Sequence, residues 1–183
     1  MTTLPTRIGV IGGGRMGAGI AHAFLVSGCE AVVVERDAMA AQAARERIES
    51  AVAKSIERGA RDLNLDETVQ RLRVEADMAA LADRELVVEA VFEDMAVKAE
   101  ALGRAEGVLA EDAVLASNTS SLSLDGLADG LERPERFLGL HFFNPVPASS
   151  LVEVVVARRT APELREAAPE WVRALGKTPV VVR

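Results

Sequence analysis

One short run near the start of the chain restricts its fold more than any other: Gly12-Gly-Gly-Arg-Met-Gly17, preceded by the apolar Ile8, Val10 and Ile11. Gly12, Gly14 and Gly17 fill the pattern G-x-G-x-x-G between an expected strand and an expected helix. Gly12 suits a tight turn out of the strand. Gly14, lacking Cβ, lets a pyrophosphate approach the backbone, and Gly17 lets the following helix pack closely on the sheet. The free N–H groups and dipole at that helix start favour an anion. A second apolar run, Ala31-Val-Val-Val34, ends at Glu35, about twenty residues on, where an acid can take the ribose hydroxyls of an adenine nucleotide. A plain glycine-rich turn followed by a surface glutamate is the competing reading. Strand, helix, second strand and acid in the right order favour a dinucleotide site.

The chain has 183 residues, enough for one well-packed domain and short for two. Its net charge of −7 argues against general binding to nucleic acid or anionic membranes, so an anionic substrate needs a local basic patch. Cys29 is the only cysteine, which excludes an internal disulfide and fits a reducing compartment. With two histidines beside it, a dedicated metal site is not expected. No apolar run approaches a membrane span, and no apolar signal core opens the chain, so a cytoplasmic location is expected.

Apolar patterning predicts strands over 7–11, 31–35, 73–75, 86–90, 113–117, 137–141, 151–156 and 179–182. Helices are expected over 16–27, 38–58, 95–109 and 162–175. Most strands are nearly continuous in Val, Leu and Ile, as when helices cover both sheet faces. The expected fold class is therefore α/β, a Rossmann-like, doubly wound, mostly parallel sheet in a single domain over 1–183. The second helix is expected to run past Arg58, with a short helix over 65–71 after Gly59, making a helical arm that protrudes after the second strand. Arg47, Lys54, Arg58 and Arg61 fall on one helical stripe, which is either a site for an anionic substrate tail or a solvated face, since Glu46, Glu49 and Glu57 are interspersed.

His141 ends an apolar strand and opens His-Phe-Phe-Asn-Pro. Strand carboxyl ends are where open α/β sheets place their chemistry, and an imidazole there can accept a proton near neutral pH. Glu153 interrupts the apolar run Leu151-Val-Glu-Val-Val-Val156. A buried carboxylate needs a partner, and His141 on the preceding strand is the natural one. Such an acid fixes the imidazole tautomer and stabilises the imidazolium. The alternative is an edge-strand Glu153 facing water. His22, inside the first helix, reads as a packed or surface helix residue. Ser117-Asn-Thr-Ser-Ser121 follows the fifth strand; its polar groups suit substrate oxygens, a cofactor ribose, or capping of the next helix, with Ser121 or Ser123 at the N-cap.

With these residues in view, the chain resembles the L-3-hydroxyacyl-CoA dehydrogenase family of the short-chain, 3-hydroxybutyryl-CoA type, specifically its N-terminal NAD-binding domain. The resemblance covers essentially the whole chain. It rests on the glycine motif through Ala21, Leu86-Val-Val-Glu-Ala90, Ser117-Asn-Thr-Ser-Ser121, His141-Phe-Phe-Asn-Pro-Val-Pro147 and Leu151-Val-Glu-Val154. It implies oxidation of the 3-hydroxyl of an acyl-CoA to the ketone with NAD, His141 as the base and Glu153 as its orienting carboxylate. Ser120 and Asn144 are then the residues that hold the reacting oxygens. Cofactor contacts are implied for Gly12, Gly14, Arg15, Met16, Gly17, Glu35, Ala90, Glu93, Lys98, Ser120 and Asn144. The helical arm matches the family's coenzyme A arm, with Lys54 and Arg58 as its cations.

Several residues depart from the family pattern. Glu35 stands where Asp is more usual, and Arg36 follows it, so NADP remains an alternative cofactor. Ser149-Ser150 stands where many relatives carry a bulkier or basic pair. The resemblance also implies that relatives continue beyond Val180-Val-Val-Arg183 with a helical domain supplying the dimer interface, one wall of the acyl pocket and a further asparagine. The chain given is then expected to fold, to be nearly inactive alone, and not to form that homodimer. Two other readings stay open: a binding module that holds NAD and CoA without turnover, and a related sugar-acid dehydrogenase, against which the Phe142-Phe143 pair and the basic arm speak.

Overall fold

A computed structural model describes residues 3–59 and 63–182. β1 (Arg7–Ile11) turns through the glycine loop into α1 (Arg15–Leu25), and β2 (Glu30–Val34) leads into α2 (Ala38–Glu57). After α3 (Leu65–Val69) come β3 (Leu72–Glu75), β4 (Leu86–Glu89), α4 (Met95–Glu106) and β5 (Val114–Ser117). α5 (Leu124–Ala128), β6 (Phe137–Phe142), β7 (Leu151–Val155), α6 (Pro162–Ala174) and β8 (Thr178–Val182) complete the chain. The eight strands form one sheet in the order β3-β2-β1-β4-β5-β6-β7-β8, parallel except where β7 runs against β6.

Alternate residues of each strand enter different cores. Ile8, Val10, Val33, Val88, Leu138 and Leu140 pack with α1, α2 and α6 on one face. Ile11, Val32, Val34, Val87, Leu115 and Phe137 pack with residues of α4 and α5 on the other. Each fully buried aliphatic side chain contributes about 1.5–3 kcal/mol, so covering both faces is what makes these unbroken apolar strands stable. Beyond β1 the chain winds outward to β2 and β3, then returns to β4 and winds the opposite way. The crevice between the carboxyl ends of β1 and β4 is the switch point where such sheets bind ligands.

Helix starts follow their capping residues. The Asp37 carboxylate accepts from Ala40 N at 2.7 Å, Asp94 from Ala96 N and Val97 N at 2.9 and 3.0 Å, and Ser123 Oγ from Gly126 N at 3.1 Å. α1 has no side-chain cap. α2 stops at Glu57 instead of running past Arg58, because Gly59 takes a φ of +66° and ends the helix. α4 likewise ends at Glu106, three residues before the expected end.

At a rise of 1.5 Å per residue, α2 is about 30 Å long, nearly twice the length of a five-residue strand. Its overhang is packed, however: Ala41, Ala44, Ile48 and Val52 are buried and Ile56 rests on the same core. The described part of the expected arm therefore lies along α1 instead of standing free. Arg61 lies outside the described residues. Among the described residues no helix is long and apolar enough to cross a membrane, and no cluster of three or more His, Cys, Asp or Glu is arranged to hold a metal. Cys29 is buried and unpaired.

Candidate active site

The glycine loop is shaped by close approaches. Gly12 has a φ of +89° and donates its N–H to Val34 O at 2.8 Å, locking the turn to β2. A Cβ on Gly17 would lie 1.7 Å from Gly12 O, so α1 meets the loop with no room for a side chain. A Cβ on Gly14 would meet nothing within 4 Å, which leaves the helix start open on its outer side. Gly13, to which the motif assigns no role, is equally constrained: a Cβ there would sit 2.4 Å from Ala44 Cβ. Its N–H donates to Glu35 Oε1 at 2.7 Å, and its carbonyl accepts from the Arg47 guanidinium at 2.6 Å. Glu35 is thus seated against the loop, half-buried, at the end of β2. The Arg36 backbone N–H donates to Glu35 Oε2 at 3.2 Å, while its guanidinium pairs with Asp37 at 3.2 Å. Arg47, one member of the stripe read as either a substrate-tail site or a solvated face, is a tether of the glycine loop. Lys54 and Arg58 are exposed.

Across the switch point lies a cleft of about 340 Å³. It is lined by Met16 from α1, Ala90, Val91 and Glu93 after β4, Lys98 from α4, Asn118 and Ser120 after β5, and the run from His141 to Asn144. Arg15 and Gly14 are exposed beside it. Nearly every residue expected to meet cofactor or substrate oxygen is therefore gathered at one end of the sheet.

His141 and Glu153 are direct cross-strand partners on β6 and β7. They share a sheet face with Phe137 and Val155, and His141 Nδ1 lies 2.8 Å from Glu153 Oε2. An ionised carboxylate only accepts, so Nδ1 carries the hydrogen and Nε2 is left as the basic nitrogen. The Phe143 ring lies against the imidazole with centroids 4.4 Å apart. Glu153 is less buried than its apolar surroundings suggest: its side chain is 33% exposed, against 16% for His141. β7 is paired on both sides, by β6 and β8, so water reaches the carboxylate from the sheet face and not from a strand edge. Phe142 is buried and meets Phe24 edge-on, though both phenylalanines line the cleft.

Beneath the cleft is a polar network that sequence patterning found only in part. Glu89, fully buried at the end of β4, accepts from Lys98 Nζ at 2.7 Å, Ser117 Oγ at 2.6 Å and Val91 N at 2.7 Å. Three donors offset the cost of burying this charge pair. Lys98 also lies 3.3 Å from Glu93 Oε2. Glu93 Oε1 gathers Thr119 Oγ1 at 2.6 Å, Ser120 N at 2.7 Å and Ser121 N at 3.1 Å. Partial burial resists ionisation of Glu93, but these hydrogen bonds and the Lys98 ammonium outweigh it and lower its pKa to about 2. Asn118 Oδ1 accepts from Phe142 N at 2.8 Å, tying β5 to the strand that carries His141. The serine-rich segment is therefore both scaffold and cleft wall, with Ser123, not Ser121, capping α5. The signal for Glu89, a lone acid closing an apolar strand, is the one that singled out Glu153. His22 is packed, its Nε2 2.7 Å from Ser55 Oγ, outside this cleft.

Known proteins resemble this chain in sequence and in fold. The family model described as 3-hydroxyacyl-CoA dehydrogenase, NAD binding domain, matches residues 7–183. A 3-hydroxybutyryl-CoA dehydrogenase of Mycobacterium tuberculosis is 42% identical over 151 residues, which is 81% of this chain and 53% of that protein. The fatty acid oxidation complex subunit alpha of Idiomarina loihiensis is 38% identical over 177 residues, 95% of this chain and 24% of that protein. The crystal structure of FadB2 from M. tuberculosis superposes with a TM-score of 0.92 at 38% identity, covering 98% of this chain and 64% of that one. The chain spans a quarter to about half the length of these curated relatives. Fold, cleft and sequence together establish that the chain belongs to the 3-hydroxyacyl-CoA dehydrogenase family and corresponds to its NAD-binding domain.

Proposed function

We propose that this chain is the cofactor-binding and catalytic half of an oxidoreductase that interconverts L-3-hydroxyacyl-CoA and 3-ketoacyl-CoA, with His141 and Glu153 as its acid–base pair. The observation that carries this reading is the 2.8 Å contact between His141 Nδ1 and Glu153 Oε2 at the wall of the cleft that the glycine loop opens into. The residues present fit a dinucleotide: open space over Gly14, an uncapped helix start, and Glu35 seated at the loop. Gly12, Gly14, Arg15, Met16 and Gly17 would take the pyrophosphate side, Glu35 the adenosine ribose, and Ala90, Glu93 and Lys98 the nicotinamide side. When bound, NAD supplies the hydride acceptor.

The side chains do the rest. His141 Nε2 takes the proton of the substrate hydroxyl as the carbonyl forms, and returns it in the reverse direction. Glu153 stabilises the imidazolium while that proton is held. Ser120 and Asn144 donate to the reacting oxygen and fix its distance from Nε2. Phe143 keeps the imidazole in one orientation. An acyl-CoA substrate is favoured by the exposed cations Lys54 and Arg58 beyond the cleft, which suit a phosphate-bearing tail. The parent enzyme's homodimer, expected through a further domain, belongs to the same proposal. Acetoacetyl-CoA mixed with NADH, or with NADPH, and followed by cofactor absorbance tests the reading. Oxidation of NADH in preference to NADPH is expected, slowly in this chain by itself; preference for NADPH contradicts it.

A further inference from the structure

A second cleft, of about 300 Å³, lies on the α1 face of the sheet, away from the dyad. It is bounded by His22, Ser55, the loop 147–150 and Lys177. Lys177 stands at the start of β8, just after Gly176, whose φ of +75° turns the chain out of α6. Its ammonium is half-buried, and burial lowers its pKa from the ordinary lysine value. It makes no ion pair among the described residues; instead it donates to Val146 O at 2.7 Å and to Ser149 O at 2.6 Å. Both carbonyls belong to the loop that joins β6 to β7.

That loop connects the two halves of the site. Asn144 and His141 precede it, and Glu153 follows two residues after β7 begins. The Val146 side chain is buried against Gly19 of α1, where an added Cβ would lie 2.7 Å from Val146 Cβ. Val146 is thus held by its side chain from one direction and by its carbonyl from the other. At the far end, Thr178 N donates to Ser150 O at 2.6 Å. Inside the loop, Ala148 N and Ser149 N both donate to Pro145 O at 3.0 Å. Without the ammonium, the restraints on this stretch from outside that remain among the described residues include the Val146 side chain and Thr178 N, with an open cleft beside it.

We propose that Lys177 is a positioning residue: by clamping Val146 O and Ser149 O it fixes the loop that sets Asn144 against the His141–Glu153 pair. The catalytic part of this inference rests on the function proposed above; the clamp itself does not. The test compares the full chain with Lys177→Met, Lys177→Arg and Lys177→Ala. Amide hydrogen exchange at Ala148 and Ser149 should quicken about tenfold or more in Lys177→Met, the effect of losing one charged hydrogen bond. Lys177→Arg should restore slow exchange, because a guanidinium can bridge two carbonyls. Millimolar ethylammonium should restore it in Lys177→Ala, since the adjacent cleft admits the amine. NADH affinity should stay unchanged throughout. Turnover of acetoacetyl-CoA should fall about tenfold to a hundredfold in kcat with KM little altered, since small misplacements of positioned groups cost that much. Unchanged exchange in Lys177→Met would overturn the clamp, as would failure of both Arg and ethylammonium to restore it. Faster exchange with unaltered kcat would overturn its link to Asn144. Preference of the unsubstituted chain for NADPH defeats the functional proposal instead, and the exchange rates then judge the clamp alone.

Discussion

In the proposed reading Glu35 carries the recognition of the cofactor ribose, since it places a carboxylate against the glycine loop at the end of β2. Glu35→Ala should weaken NADH binding about tenfold to a hundredfold, the effect of one or two charged hydrogen bonds, as read by NADH fluorescence titration. Unchanged affinity would show that the ribose lies elsewhere. Arg36, which gave the sequence its NADP alternative, is engaged with Asp37 instead, a choice no local pattern reveals. Glu93 offers a different test. Its folded pKa, about 2, lies below its ordinary 4.5, so its contribution to stability is complete above about 4.5 and is lost as pH falls toward 2. Melting temperatures of Glu93→Gln and the unsubstituted chain should therefore converge over that window; a constant gap would show that the carboxylate is not held as described. The two acids in apolar strands, Glu89 and Glu153, carry the same sequence signature. Cross-strand register assigns His141 to Glu153, and the packing of α4 on β4 assigns Lys98 to Glu89; both are tertiary properties.

At the scale of elements, the glycine loop separates two kinds of requirement within six residues. Gly14→Ala should change stability by no more than about 1 kcal/mol, because its backbone is extended and space surrounds it, yet weaken NADH binding. Gly17→Ala forces atoms against Gly12 O and should cost about 3 kcal/mol or more, seen in urea melts. Equal stability losses at both sites would mean that Gly14 is as crowded as Gly17, and unchanged NADH affinity in Gly14→Ala would mean that the open face over Gly14 has no part in binding. Most strands were legible because they are short apolar runs, α2 and α4 because their caps and apolar spacing mark them, and α6 because Pro162 opens an apolar helical spacing. The reversal of β7 was not: a period of two reads the same in parallel and antiparallel strands. The end of α2 was missed because its charged residues suit a helix well past Arg58, and only the φ of Gly59 breaks it. That Val52 and Ile56 bury the overhang follows from α1 lying beneath it, which spacing along α2 alone does not contain.

For the whole molecule, stability and chemistry respond to acid in different places. His22 is buried, and that burial, with Lys177 nearby, lowers its pKa from 6.5 to about 4. Its neutral form is therefore part of the fold. Stability should be full above pH 6.5 and fall as pH drops toward 4, by about 3 kcal/mol if the whole shift is realised. His22→Gln, which can keep a bond to Ser55, should flatten the melting-temperature profile over that window; an unaltered slope would contradict it. The active cleft draws residues from α1, α4 and the carboxyl ends of β4, β5 and β6, so its chemistry is a property of the assembled sheet. The central claim is that His141 and Glu153 act as one acid–base unit in that cleft. Single-turnover oxidation of NADH by acetoacetyl-CoA, with the chain in excess, measures this directly in four proteins: unsubstituted, His141→Ala, Glu153→Ala and the double variant. Each single change should slow the reaction, and the double variant should be no slower than His141→Ala alone. A His141→Ala rate equal to the unsubstituted rate, or losses that multiply fully in the double variant, would contradict the account.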